Sequence, residues 1–280
     1  MYTTIISAEN LNSIIDEKNL IIFDSRFDLL NKNLGLQNYQ KKHIKNAHYV
    51  DLEVDLSQKI SSFSGRHPLP NIKNFSKFLN NFNITDNSQI IIYDDNNGSM
   101  SARMWWMLKL VGLKNCAVLD GGFKIWLKNK YPADNIVPTK EKLRNRVYSY
   151  RTEYIITTDE LREKIKSQSI CIIDARDNER FLGTEEPIDK KAGHIPGAFN
   201  MPFKNNLKSD GKFKSKSEIK NNFSKFFDGN SKQIINMCGS GVTACHNVLA
   251  MEYCGYEERV LYVGSWSAWS SHEENKIESK

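Results

Sequence analysis

Short apolar runs alternate along this chain with longer amphipathic stretches. LIIF (Leu20–Phe23), QIIIYD (Gln89–Asp94) and CAVLD (Cys116–Asp120) are four to six residues long, rich in β-branched side chains and bounded by turn residues. That pattern predicts buried strands. SARMWWMLKLVG (Ser101–Gly112) and TACHNVLAMEYCG (Thr243–Gly255) carry apolar residues at helical spacing and stop at glycine, which predicts helices. Strands alternating with helices predict an α/β fold, a mainly parallel sheet flanked by helices. Ligands in such sheets sit beyond the carboxyl ends of the strands.

The pattern is written twice. NLIIFDSR (Asn19–Arg26) is echoed by SICIIDAR (Ser169–Arg176), and HIKNAHYVD (His43–Asp51) by HIPGAFNMP (His194–Pro202). QIIIYD returns as QIINMC (Gln233–Cys238), and AVLDGGFKIW (Ala117–Trp126) as VLYVGSWSAW (Val260–Trp269). Four echoes in the same order predict two homologous domains. We place them at residues 1–135 and 155–280. The polar, proline-bearing stretch 136–154 is read as a linker, and the charged segment Lys204–Phe223 as a loop followed by a helix start. The C-terminal SHEENKIESK is expected to fray.

Composition adds exclusions. The 280 residues are 40% hydrophobic and carry a net charge of +6. The basic residues are dispersed, with no aromatic-interleaved basic motif, so neither nucleic acid nor a membrane is an expected partner. The N-terminus lacks the basic and apolar blocks of a secretory signal. Five cysteines, Cys116, Cys171, Cys238, Cys245 and Cys254, follow no metal-ligand spacing. We therefore expect a reducing, cytoplasmic setting, no bound metal and no cofactor.

One cysteine stands apart. In CGSGVTA, Cys238 ends a strand and a helix begins within six residues. Glycines there let successive N–H groups turn inward, and amides at a helix start form an anion cradle that favours a thiolate. Gly239, Gly241, Val242 and Thr243 would supply that cradle, and Ser240 and Thr243 would add hydroxyls. A phosphatase of this type needs an arginine six residues after the cysteine, where Ala244 stands. A redox loop needs Cys-x-x-Cys, and Gly241 stands at that place. Sulfur transfer through a persulfide anion remains, with a non-catalytic binding protein of the same fold as the alternative. The first copy carries Asp94 at the equivalent position.

CGSGVTA, DARDNERFLGTEEP, GHIPGAFNMPF and LDGGFKIW together resemble the tandem-domain rhodanese family of thiosulfate and 3-mercaptopyruvate sulfurtransferases, over nearly the whole length. The resemblance implies two rhodanese-like domains, with a catalytic second domain and an inactive first one, as Asp94 fits. Gly239-Ser240 resembles the mercaptopyruvate subclass, whereas thiosulfate enzymes usually carry Arg-Lys there. It further implies that Arg180 binds the donor carboxylate, which suits a guanidinium fork. His67, in GRHPLP, would work with Ser240 and an acid, Glu53, with Asp51 and Asp55 as near rivals. Family members often have a second arginine after Glu-Pro. Here Ile188 follows Glu186-Pro187, leaving Lys190 or Lys191 as replacements. The implied partners are a small sulfur donor, 3-mercaptopyruvate before thiosulfate, and an acceptor such as cyanide, a thiol or thioredoxin. His43, His194, Asp24, Arg26, Asp174 and Arg176 recur in both copies and are read as structural, and Trp105 and Trp106 as core.

Overall fold

The computed structural model describes residues 1–139, 145–226 and 233–279; part of the stretch read as a linker, residues 140–144, lies outside them. The chain folds as two units. The first takes Met1–Gln58, Pro70–Arg151 and Ser209–Phe213; the second takes Lys59–Leu69, Thr152–Lys208 and Lys214–Lys280. The second unit is therefore not a continuous stretch of sequence, because residues 59–69 reach it from the first half.

In the first unit the sheet runs in the order Ile5–Ile6, Cys116–Leu119, Gln89–Tyr93, Leu20–Asp24, Ala47–Tyr49, with every pairing parallel. In the second the order is Ile155–Ile156, Leu261–Tyr262, Gln233–Met237, Ile170–Asp174, Phe199–Asn200, again all parallel. Numbered along the chain, both sheets have the strand order 1-5-4-2-3. Register follows the echoed sequence: Asp24 pairs with Tyr93 and Asp174 with Met237, so Asp94 and Cys238 leave their sheets at the same level.

The reason lies in the side chains. Ile90, Ile91, Ile92 and Tyr93 are all buried, as are Ile234, Ile235 and Met237, which is what a central strand covered on both faces requires. Ile22, Ile91, Tyr93 and Trp126 sit in one core cluster; Ile172, Ile235, Tyr262 and Trp266 sit in the other. Each such side chain contributes roughly 1.5–3 kcal/mol by leaving water. Trp105 and Trp106 are buried on the helix Ser99–Leu110, a half-turn earlier in start than the periodicity predicts.

The paired Asp-x-Arg motifs close each second strand on itself. Arg26 Nη2 lies 2.6 Å from Asp24, and Arg176 Nη2 2.7 Å from Asp174. The guanidiniums also stack, over Phe123 at 4.3 Å and over Trp266 at 4.7 Å. His43 and His194 bond to the main-chain carbonyls of Tyr39 and Phe181 and stack on those same rings. The segment Lys204–Phe223 yields the helix Lys216–Ser224, opened by a capping box between Ser215 and Glu218.

The C-terminal segment departs from expectation. His194 and Glu278 exchange backbone hydrogen bonds of 2.8 and 3.0 Å, and Asn275 is buried, donating to Trp269 O. Its polar composition suggested fraying, but backbone pairing does not depend on side-chain polarity. Among the described residues, no helix is long and apolar enough to cross a membrane.

Candidate active site

The two loops beyond the central strands differ in what fills them. In the first unit, Asp94 Oδ1 accepts the N–H groups of Asn96 and Gly98, each at 2.9 Å. Its Oδ2 accepts those of Met100 at 2.9 Å and Ser101 at 2.8 Å. Four amides at a helix start thus close around the protein's own carboxylate.

In the second unit the strand Gln233–Met237 delivers Cys238, only 2% exposed, and the Gly241 N–H points at its sulfur from 3.2 Å. Gly241 has φ +74°, and a Cβ there would lie 2.6 Å from Val263 O, so the turn needs glycine. Among the described residues, the N–H groups of Ser240, Val242 and Thr243 have no protein acceptor. The loop's outer edge is fixed to the helix Ser265–Trp269: Trp266 N donates to Cys238 O and Ser267 N to Gly239 O, both at 2.9 Å. Cys238 N donates to Ser265 Oγ at 3.2 Å. Sequence reasoning saw this helix only as a repeat and missed that it braces the loop.

The other thiols are placed differently. Cys116, Cys171 and Cys245 are buried, and Cys245 donates to Gly241 O. Burial pushes the Cys254 thiol up to about 11 against the pull of Lys216 and Lys220, so it stays protonated at neutral pH. All five are thiols rather than disulfide sulfurs.

Of the expected partners, Ser240 and His67 come together. Both are buried, and Ser240 Oγ lies 2.8 Å from His67 Nδ1. The two are 173 residues apart, so the family resemblance, not spacing, was the signal that paired them. Glu53 belongs to the first unit, where its carboxylate accepts from Lys32 Nζ at 2.7 Å. Of its rivals, Asp51 accepts the Glu53 and Val54 N–H groups and Asp55 accepts that of Asp51.

Arg180, on the short helix Asn178–Leu182, lies against the loop: a Cβ built on Gly239 would be 3.3 Å from its Nη1. The same Cβ would be 2.9 Å from Arg66 Nη2. Gly239 is thus the gap into which two guanidiniums fit. Arg180 pairs with Glu186 at 2.7 Å and Asp189 at 3.1 Å, and Arg66 pairs with the other oxygen of Asp189. Burial works to raise the Glu186 carboxyl, but the N–H groups of Asp189 and Ile188 together with Arg180 outweigh it and hold it below the usual range. Arg66 and Asp189 escaped the sequence reading. Arg66 adjoins His67 in GRHPLP, and that adjacency was the available signal.

A rhodanese-like domain matches the chain twice, over residues 7–129 and 157–272. The chain belongs to the rhodanese family. It is 36% identical over 270 residues to a probable 3-mercaptopyruvate sulfurtransferase of Pseudomonas aeruginosa, covering 95% of this chain and 94% of that one. It is 34% identical to a thiosulfate sulfurtransferase of Cricetulus griseus, covering 82% and 78%. The solved 3-mercaptopyruvate sulfurtransferase of Leishmania major superposes with a TM-score of 0.83 at 28% identity, over 96% of this chain and 74% of that one. As a rhodanese-family member this protein is a sulfurtransferase, with the expected fold of two rhodanese-like domains. Relatives named for either donor match it at similar identity, so the choice of donor is a question for the site.

Proposed function

We propose that this sulfurtransferase takes sulfur from 3-mercaptopyruvate and passes it to a thiophilic acceptor through a persulfide on Cys238. The Cys238 thiolate attacks the donor sulfur while the donor's C–S bond breaks. The electron pair leaves on carbon as the enolate of pyruvate, which then takes up a proton. The outer sulfur, carried as Cys238–S–S⁻, is stabilised by the loop amides of Gly239, Ser240, Gly241, Val242 and Thr243. An acceptor nucleophile then attacks that outer sulfur and restores the thiolate. Cyanide would leave as thiocyanate, and a thiol as a hydropersulfide. Thioredoxin, a dithiol, would resolve to a disulfide and release sulfide. Arg180 is the proposed anchor of the donor carboxylate.

The observation that carries the keto-acid reading is the 2.8 Å pair of Ser240 and His67 beside Cys238. A hydroxyl and an imidazole in that position can polarise a carbonyl and shuttle the enolate's proton, steps that thiosulfate does not require. Five cysteines held as thiols suit a reducing compartment, and we infer a cytoplasmic one.

The test is intact mass after incubation with each donor. We expect a gain of one sulfur atom on Cys238 with 3-mercaptopyruvate, faster than with thiosulfate, and none in Cys238→Ser. Faster loading by thiosulfate would reassign the donor, and transfer by Cys238→Ser would remove the site.

A further inference from the structure

We propose that Ser267 is a positioning residue of the reaction: it holds the segments that carry Ser240 and His67 against one another and so sets the distance between them. This deepens the keto-acid reading above and rests on it. Ser240 and His67 stand on segments far apart in sequence, yet Ser240 Oγ and His67 Nδ1 lie 2.8 Å apart. So short a contact between two loops needs each backbone held from outside the pair. Ser267 grips both. Its N–H donates to Gly239 O at 2.9 Å, and its Oγ accepts the Arg66 N–H at 3.1 Å. Gly239 precedes Ser240 and Arg66 precedes His67, so each bond takes hold of the residue before a member of the pair.

The two grips differ in kind. The Gly239 carbonyl shares a planar peptide with the Ser240 N–H, so fixing the oxygen also aims that N–H the opposite way, away from Ser267. That bond comes from the main chain and survives any side chain except proline's. The other comes from the hydroxyl, which donates to Gly264 O at 3.1 Å and is thereby oriented to accept from Arg66. Gly65 lets the chain come this close: at φ +76°, a Cβ there would fall 2.5 Å from Gly264 O and 3.0 Å from Ser267 Oγ. The ion pair of Arg66 with Asp189 holds the end of a long side chain, whereas the hydroxyl bond holds the backbone from which His67 projects.

The fold does not require a serine at this place. In the first unit Lys124 stands at the echoed position, exposed on the helix Gly122–Lys128. Phe123 N still donates to Asp94 O at 2.9 Å, as Trp266 N does to Cys238 O. There Asn96 takes the place of Ser240, and its side chain donates to Phe27 O at 2.7 Å. The serine thus accompanies the relay and not the helix.

Ser267→Ala removes the hydroxyl bond and keeps the main-chain one. Ser267→Thr keeps both, and its extra methyl has the adjoining cavity of about 510 Å³ to enter. Ser267→Ala should lower kcat for 3-mercaptopyruvate about threefold to tenfold, the worth of one hydrogen bond, while KM and the loading of Cys238 by thiosulfate change by less than about twofold. Ser267→Thr should match the wild type. In a His67→Gln background Ser267→Ala should lower kcat no further, because the partner it aligns is gone. The imidazole nitrogen resonances of His67, assigned by their loss in His67→Gln, should shift in Ser267→Ala and return in Ser267→Thr. Unshifted His67 resonances in Ser267→Ala would overturn the proposal, as would an equal loss with both donors or a full additional loss in the His67→Gln background. If His67→Gln itself left kcat for 3-mercaptopyruvate unchanged, the keto-acid relay would fall, and the His67 resonances would still decide what Ser267 holds.

Discussion

The two loops that leave the two sheets at matching registers show how one backbone device serves opposite ends. Around Asp94 four amides are satisfied by a side chain of the loop itself, two to each oxygen. Around Cys238 one amide reaches the sulfur, and those of Ser240, Val242 and Thr243 have no acceptor among the described residues. A carboxylate has two oxygens and a fixed charge, and it saturates its cradle. A cysteine side chain has one acceptor atom, its sulfur, and leaves the remaining amides unfilled. The first arrangement contributes to stability, and the second leaves polar groups available, as the proposed persulfide would need, at some cost to stability.

The largest effect is expected from trying to equate the two. Asp94→Cys should gain no sulfur from 3-mercaptopyruvate while Cys238 of the same molecule loads fully, as mass spectrometry of the two peptides would show. The first loop has no serine two residues after position 94, and is one residue shorter before its helix begins; sulfur on that cysteine would mean the cradle alone suffices. Asp94→Ala should next unfold more readily. It leaves four donors without their acceptor, a loss on the order of 3 kcal/mol in denaturant melts, with kcat of the second unit little changed.

Smaller effects separate the relay from the cradle. Ser240→Ala and His67→Gln should each lower kcat for 3-mercaptopyruvate by about tenfold to a hundredfold. Thiosulfate turnover should fall much less, and the double variant should be little worse than either single one, because the pair acts together. The smallest effect is a pH dependence at Glu186. Its carboxyl is held below 4.5 in the folded chain, so its ionised form adds stability above that value, lost as pH falls through the folded value. The gap in Tm between wild type and Glu186→Gln should therefore hold from neutrality to about pH 4.5 and close below it, a change of about 2–4 °C.

The parts of this molecule legible in sequence are those fixed by local pattern. Strands such as QIIIY and QIINM announce themselves by β-branched runs, and their repetition gives the duplicated sheet. The Cys238 loop is legible because glycine and strand end coincide in a few residues. What stayed hidden depends on chain segments far apart. Arg66 and Gly239 are adjacent only after folding, and nothing in GRHPLP states which direction its arginine takes. Asp189 reads as one acid in a charged loop until its two partners are seen. The pairing of Glu278 with His194 likewise carries no side-chain signature.

The origin of residues 59–69 has a bearing on how such a protein can be divided. Arg66 and His67 are encoded in the first half yet fold with the second. A gene cut at the repeat boundary would therefore yield a half with Cys238 but without the histidine beside Ser240 or the arginine against Gly239. The two halves share one sheet plan, yet the borrowed stretch means that neither unit corresponds to one continuous half of the gene.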